Sequence, residues 1–266
     1  MRFNSWPAEK PYSFSALTSF EECPAMFAMT YLADPKIEEN NNAFAEYGTL
    51  CHDLFDKYAK GELCDFELAS EYESRYPDEV VHNFPPYPKN YAEKVYNLGL
   101  QYFQEFEGFG DQYEIVASEQ MFETTICGHK FKGIIDLILR NTVDDTIVIV
   151  DHKSKSASGM KKDFSTYVKQ LYLYSVYVKE TYGKYPSLLR FNVFKENKFF
   201  DEVFSEKKLQ EVIQWMDDIV MRIEMEDEWE ATPPGEYFCR WICGYSTLCP
   251  SSPIADFDKI EALSQD

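Results

Sequence analysis

Two stretches of the chain carry charged residues where their neighbours are apolar. The run Ile147-Val148-Ile149-Val150 ends in Asp151-His152-Lys153, and Gly133-Ile134-Ile135-Asp136-Leu137-Ile138-Leu139 holds an aspartate in its middle. In an extended strand Asp151 and Lys153 point to one face, and a hairpin brings Asp136 beside Asp151. Charges at the ends of buried strands are costly unless paired or coordinated. A divalent cation, Mg²⁺ or Mn²⁺, which takes a few carboxylates together with water and phosphate oxygens, answers that cost. A buried Asp–Lys ion pair is the alternative reading, and spacing alone does not separate the two.

A second chemistry is suggested by cysteine. Of the seven, Cys239, Cys243 and Cys249 fall within CRWICGYSTLC. An odd count in a chain without an export signal argues against a disulfide framework, and the density points to metal or cluster ligation. Chance clustering of small buried hydrophobes is the competing explanation. Gln170, Tyr174 and Tyr177 share one face of a helix following the charged strand, read either as an aromatic core stripe or as part of a site. His52 lies with Gly48, Phe55 and Ala59 on the apolar side of its helix, a satisfied core histidine or a functional one.

The elements that must position these groups follow from periodicity. Apolar spacing predicts helices over 15–33, 43–60 and 88–108, with Pro24 bending or restarting the first. Strand-length runs rich in Val, Ile and Phe follow at EIVASEQMFETT, HKFKGIIDLILR and TIVIVDHKS, joined by short hairpin connections. A helix over 163–182, strands near 188–195 and 199–204, and an amphipathic helix carrying Leu209, Val212, Met216, Ile219 and Ile223 complete the order. Residues 34–42, 82–90, 231–236 and the acidic tail after Cys249 read as irregular. The class is mixed α/β (α+β) around one sheet, in one domain over 1–266. A mainly helical part (1–112) precedes the sheet core (113–230) and the cysteine segment and tail (231–266).

With 26 Lys and Arg against 46 Asp and Glu, the net charge of −20 excludes a generally polybasic nucleic-acid coat. Residues 151–200 run the other way, with ten Lys or Arg against four Asp or Glu. Lys153, Lys155, Lys161, Lys162 and Lys169 lie in or just after the charged strand, where a phosphate backbone would approach, with a solvated lysine loop as the alternative. No apolar run approaches the ~18 residues of a bilayer span, and MRFNSWPAEKPYS lacks the apolar stretch of a secretory signal. A non-exported protein without membrane association is expected.

Taken together these residues resemble the PD-(D/E)XK nuclease superfamily, and within it the RecB-like exonucleases of phages, AddB subunits and CRISPR systems. The resemblance rests on SFSALTSFEECP (13–24), GTLCH (48–52), GIID (133–136), IVDHKS (149–154), QLYLY (170–174) and the C-terminal cysteines. It implies a restriction-endonuclease-like core, with Asp136 and Asp151 holding Mg²⁺ or Mn²⁺, His52 beside the metal and the His152 backbone carbonyl as a further ligand. Lys153 would orient or deprotonate the attacking water, Gln170 and Tyr174 would support the site, and Glu119 would add an outer carboxylate. Cys23, Cys239, Cys243 and Cys249 match the set that binds a [4Fe–4S] cluster, although C-x3-C-x5-C replaces the family's C-x2-C-x5-C and leaves zinc as an alternative.

The implied function is metal-dependent DNA exonuclease activity in recombination, repair or phage DNA processing. It would act in the cytoplasm, that of the host if phage-encoded, on DNA that is single-stranded or has free ends. A helicase, recombinase or integrase would be the partner. A catalytically silent nucleic-acid-binding adaptor of a helicase or integrase complex is the alternative; the intact Asp136, Asp151 and Lys153 argue against it. A DNA mimic is disfavoured by the lysines of 151–200.

Overall fold

The computed structural model describes residues 2–265. Its helices are α1 (Phe14–Glu22), α2 (Pro24–Tyr31), α3 (Ala43–Ala59), α4 (Asp65–Glu79), α5 (Tyr91–Gln104), α6 (Ala157–Tyr182), α7 (Glu206–Met225), α8 (Glu236–Trp241) and α9 (Phe257–Gln265). Its strands are β1 (Arg2–Phe3), β2 (Tyr12–Ser13), β3 (Ala33–Asp34), β4 (Tyr113–Ile126), β5 (His129–Asn141), β6 (Ile147–His152), β7 (Leu188–Val193) and β8 (Lys198–Val203). The chain divides into two compact units. One comprises Met1–Asn42, Thr125–Phe131 and Ile213–Asp266, the other Ala43–Thr124 and Lys132–Val212.

In the first unit the Ser13 hydroxyl caps α1 by accepting from the Ala16 N–H at 3.2 Å. Pro24, which has no N–H to lose, opens α2. The expected restart at Pro24 is thus the break between two helices, and Cys23 is the residue at the break. It packs with Ala25, Met29, Ile37 and Tyr245 in a small buried cluster.

The second unit holds a mixed sheet. β4 pairs with β5, β5 with β6 antiparallel, β6 with β7 parallel and β7 with β8 antiparallel. The parallel pair needs a crossover, which α6 supplies. On one face of the sheet Leu137, Leu139, Val148 and Val150 form a buried patch against Ala59, Phe109 and Tyr113. α3, α4 and α5 pack around an aromatic core that includes Tyr47, Phe55, Tyr72 and Phe103.

Several elements differ from the sequence expectations: the short β1, β2, β3 and α8 were not expected, and three longer differences have a physical reason. α4 occupies a stretch for which no element was expected: only Leu68 and Tyr72 are buried along it and Pro77 interrupts its pattern, so the apolar stripe is too thin to read. α6 begins at Ala157 rather than 163 because the Ser156 hydroxyl accepts from the Gly159 N–H. The tail after Cys249 contains α9. Among the described residues no helix is long and apolar enough to cross a membrane.

Glu46, only 8% exposed, ties α3 to the segment after α4. Its carboxylate accepts from the Val81 and His82 N–H groups, both at 3.0 Å, and lies 2.6 Å from His82 Nδ1. Burial raises its pKa, but the bonds from His82 and Val81 outweigh that and leave it below the usual glutamate range. A carboxylate whose pKa is lowered by folding stabilises the fold above its unfolded pKa and ceases to do so as pH falls through the folded one. Glu46→Gln is expected to cost roughly 2 kcal/mol at neutral pH. Urea melts from pH 7 to pH 3 should show the difference from the parent shrinking as acid is added.

Candidate active site

The register of two apolar strands builds the centre of the site. Leu137 pairs with Val150 and Ile138 with Ile149, so the next antiparallel step sets Asp136 opposite Asp151. Both are buried, at 9% and 3% exposure. Alternation then sorts β6: Asp151 and the following Lys153 turn to one face, His152 to the other.

On the first face the Lys153 ammonium lies 2.8 Å from Asp151 Oδ2 and 3.3 Å from Gln170 Oε1 on α6. The rings of Tyr167 and Phe191 flank it at 5.1 and 5.8 Å. Gln170 donates through Nε2 to the Tyr174 hydroxyl at 3.0 Å. The Tyr174 ring meets Phe122 edge-on at 5.1 Å and covers Gly133. A β-carbon at Gly133 would come within 2.6 Å of that ring, so only glycine lets Tyr174 approach the strand. The helix face Gln170–Tyr174 is therefore in contact with the charged strand.

His52 reaches the carboxylates from α3. Its Nε2 lies 3.0 Å from the His152 carbonyl, which can only accept, so Nε2 carries the hydrogen. Nδ1 is left facing Glu119 Oε1 and Asp136 Oδ2, each at 3.5 Å. The His152 N–H donates to Asp136 Oδ2 at 2.7 Å. The backbone of His152 thus touches both His52 and Asp136, while its ring turns away and stacks on Phe55 at 4.1 Å.

Glu119 enters through a backbone irregularity that no sequence pattern announces. It sits within β4 at φ 44°, in the left-handed region that side-chain-bearing residues avoid. Strain of this kind inside a strand re-aims a side chain and gathers at functional sites. The ligand atoms of His52, Glu119 and Asp136 lie within 4.8 Å of one another. An open cavity lined by Gly48, Thr49, His52 and Glu119 gives access to them.

The electrostatics are those of acids crowded together. Burial and then the charge of Asp151 push Asp136 up to about 7. Burial pulls His52 down, but Asp136, Glu119 and Asp151 outweigh it and raise the imidazole to about 9. Lys153 likewise loses to burial and gains more from Asp151 and Asp136, so it is held protonated. His152 is driven well below the usual histidine range by burial and by the charges of His52 and Lys153. Asp151 Oδ2, buried, has the Lys153 ion pair but no aligned hydrogen bond. A set of carboxylate oxygens with one imidazole Nδ1 fits a hard divalent cation. Asp136, Asp151, Glu119 and His52 could hold one, and a lone pair of the His152 carbonyl remains for it.

In the first unit Cys23, Cys239, Cys243 and Cys249 line one cavity with Met26, Met29 and Phe238. Burial, then the nearby Cys249 and Cys23, raises the Cys239 thiol. Burial and the other three cysteines push Cys243 up to about 11. Thiols that hinder one another's ionisation in an apolar recess suit a positively charged group that takes all four as thiolates.

The PD-(D/E)XK nuclease superfamily profile matches residues 11–250. No curated protein matches the chain. Among solved structures, the crystal structure of SSO0001 aligns at 16% identity and a TM-score of 0.39, covering 92% of this chain and 88% of that one.

Glu119→Asn should separate stability from chemistry, because Asn tolerates the left-handed conformation better than Glu and cannot supply a carboxylate. The melting temperature is expected to hold or rise, reflecting up to roughly 1 kcal/mol of relieved strain. Binding of Mn²⁺ should weaken by about tenfold. A variant that melts lower and binds Mn²⁺ normally would refute this role for Glu119.

Proposed function

Because the chain belongs to the PD-(D/E)XK nuclease superfamily, whose members are metal-dependent nucleases acting on DNA, we propose that it is an exonuclease of the RecB-like type. The observation that carries this is the convergence of Asp136, Asp151, Lys153 and His52, with Gln170 and Tyr174 from the following helix, at one buried strand end. His52 joining the carboxylates from a preceding helix is what favours the RecB-like subgroup.

Asp136 and Asp151, with His52, Glu119 and the His152 carbonyl around them, would hold Mg²⁺ or Mn²⁺. A cation there activates water for attack and stabilises charge on the scissile phosphate. Lys153, held protonated between Asp151 and Gln170, aligns the nucleophile through its N–H donors and offsets the negative charge that grows on the phosphate. Gln170 fixes Lys153, and Tyr174 fixes Gln170. Lys161 and Lys162, exposed and next in sequence, would supply positive charge for the DNA backbone, whereas Lys155 is paired with Asp163. The four clustered cysteines are assigned to a [4Fe–4S] cluster, for which four thiolates are the usual set. Recombination, repair or phage DNA processing is the proposed setting.

End-labelled linear DNA, single- and double-stranded, and closed circles should be offered with Mg²⁺, Mn²⁺ or EDTA. Linear DNA should be degraded only with metal, circles should survive, and Lys153→Ala should lower the rate by about 10²-fold or more. Failure to degrade linear DNA in either metal would overturn the reading. Anaerobically purified protein should carry about four iron atoms and four sulfides per chain, both lost in Cys243→Ser. Zinc in place of iron would assign the cysteines to a structural zinc site instead.

A further inference from the structure

Behind the strand end lies a buried polar group that the chemistry above does not use. Asn192, 1% exposed, stands on β7 beside His152 in the parallel register. Its backbone carbonyl accepts from the Lys153 N–H at 2.8 Å. Its side-chain NH2 donates to the Tyr102 hydroxyl at 2.9 Å and faces His152 Nδ1 at 3.1 Å. An amide NH2 only donates, so Nδ1 accepts and the His152 hydrogen sits on Nε2. The ring so fixed is clamped between this bond and the stacked face of Phe55, whose centroid is 4.1 Å away.

What the clamp holds is more than a side chain. The two backbone polar groups of His152 are the N–H that binds Asp136 Oδ2 and the carbonyl that binds His52 Nε2. A rotation of His152 would move both partners at once. Asn192 thus grips the strand end twice, at Lys153 through its backbone and at His152 through its side chain. An apolar residue of similar size would keep the packing and lose the second grip, leaving His152 Nδ1 and the Tyr102 hydroxyl buried without that partner.

We infer that Asn192, braced by Tyr102, is a positioning residue for cation binding: through the His152 ring it fixes the backbone that orients His52 and Asp136. This rests on the reading of those residues as a divalent-cation site. Outer hydrogen-bond partners of metal ligands commonly matter by 10- to 100-fold in affinity or rate.

The test is Asn192→Leu, which keeps volume and backbone, with Tyr102→Phe as a milder variant that retains the ring. Free Mn²⁺ is titrated by electron paramagnetic resonance on the full chain, without DNA, so that the readout does not depend on turnover. Asn192→Leu is expected to bind Mn²⁺ about tenfold or more weakly, and Tyr102→Phe to weaken it in the same direction by less. In cleavage assays kcat should fall about as far while KM for DNA stays within about twofold, a split that general loosening would not give. Mn²⁺ affinity within twofold of the parent in a folded Asn192→Leu overturns the inference. If Asn192→Leu does not fold, unchanged Mn²⁺ affinity in Tyr102→Phe overturns it equally. A parent protein that binds Mn²⁺ but leaves DNA intact would sink the exonuclease reading, while the Mn²⁺ titration would still decide the role of Asn192.

Discussion

Two carboxylates are held face to face because the residues around them are apolar. Leu137, Leu139, Val148 and Val150 are buried on one side of the β5–β6 pair, and a slip of one residue in either strand would turn that strand's two away from that core. The register that keeps them buried leaves Asp136 nowhere to go but opposite Asp151. Two such charges a few ångströms apart repel by several kcal/mol even at an effective dielectric of about 20. The protein meets this with positive charge: a proton retained on Asp136 to about 7, the Lys153 ammonium on Asp151, and a His52 that stays protonated to about 9. A dication can take over what the protons on Asp136 and His52 supply, and leaves Lys153 with charge to spend elsewhere.

The same alternation that exposes this cost also contains it. Asp151 and Lys153 share a face with Gln170, Tyr167 and Phe191, while His152 turns into the aromatic core around Phe55. Chemistry and anchorage are therefore consecutive residues on one strand, and the core on one side can tolerate discomfort on the other. The left-handed Glu119 and the half-satisfied Asp151 are two such discomforts on the chemical side, though the core side carries buried Asn192 Oδ1 and Tyr47 Oη without a hydrogen bond as well. Such strain persists where the surrounding structure over-determines the backbone, as the pairing of β4 with β5 does for Glu119.

The limits of the sequence follow from what pattern can encode. Strand periodicity was strong enough to locate β4, β5 and β6, and an aspartate inside Gly-Ile-Ile-Asp-Leu-Ile-Leu marked the position that a hairpin would bring beside Asp151. The partnership of Gln170 and Tyr174 was visible as helical spacing, though not that the face met the charged strand. Glu119 was out of reach as a ligand, since its orientation comes from a positive φ at a non-glycine residue, which composition does not mark. Asn192 was equally silent: one amide in Leu-Leu-Arg-Phe-Asn-Val gains meaning only when a parallel register sets it beside His152. α4 was missed for a simpler reason, two buried residues in fifteen.

Charge along the chain needs the same care. The lysine-rich stretch 151–200 is less positive in space than in sequence, because Lys153 pairs with Asp151, Lys155 with Asp163 and Lys198 with Glu196, while Arg190 is held by Asp201. Lys161 and Lys162 have no ion pair among the described residues, and both are exposed in the second turn of α6. Cations near a helix N-terminus oppose the helix dipole, so their placement there carries a small cost in the isolated protein. An approaching phosphodiester backbone reverses that cost, since it gains from the dipole and the ammonium groups together. On a chain of net charge −20, the two uncompensated cations that follow the carboxylate strand in sequence would give a polyanion a local attraction that the chain as a whole opposes.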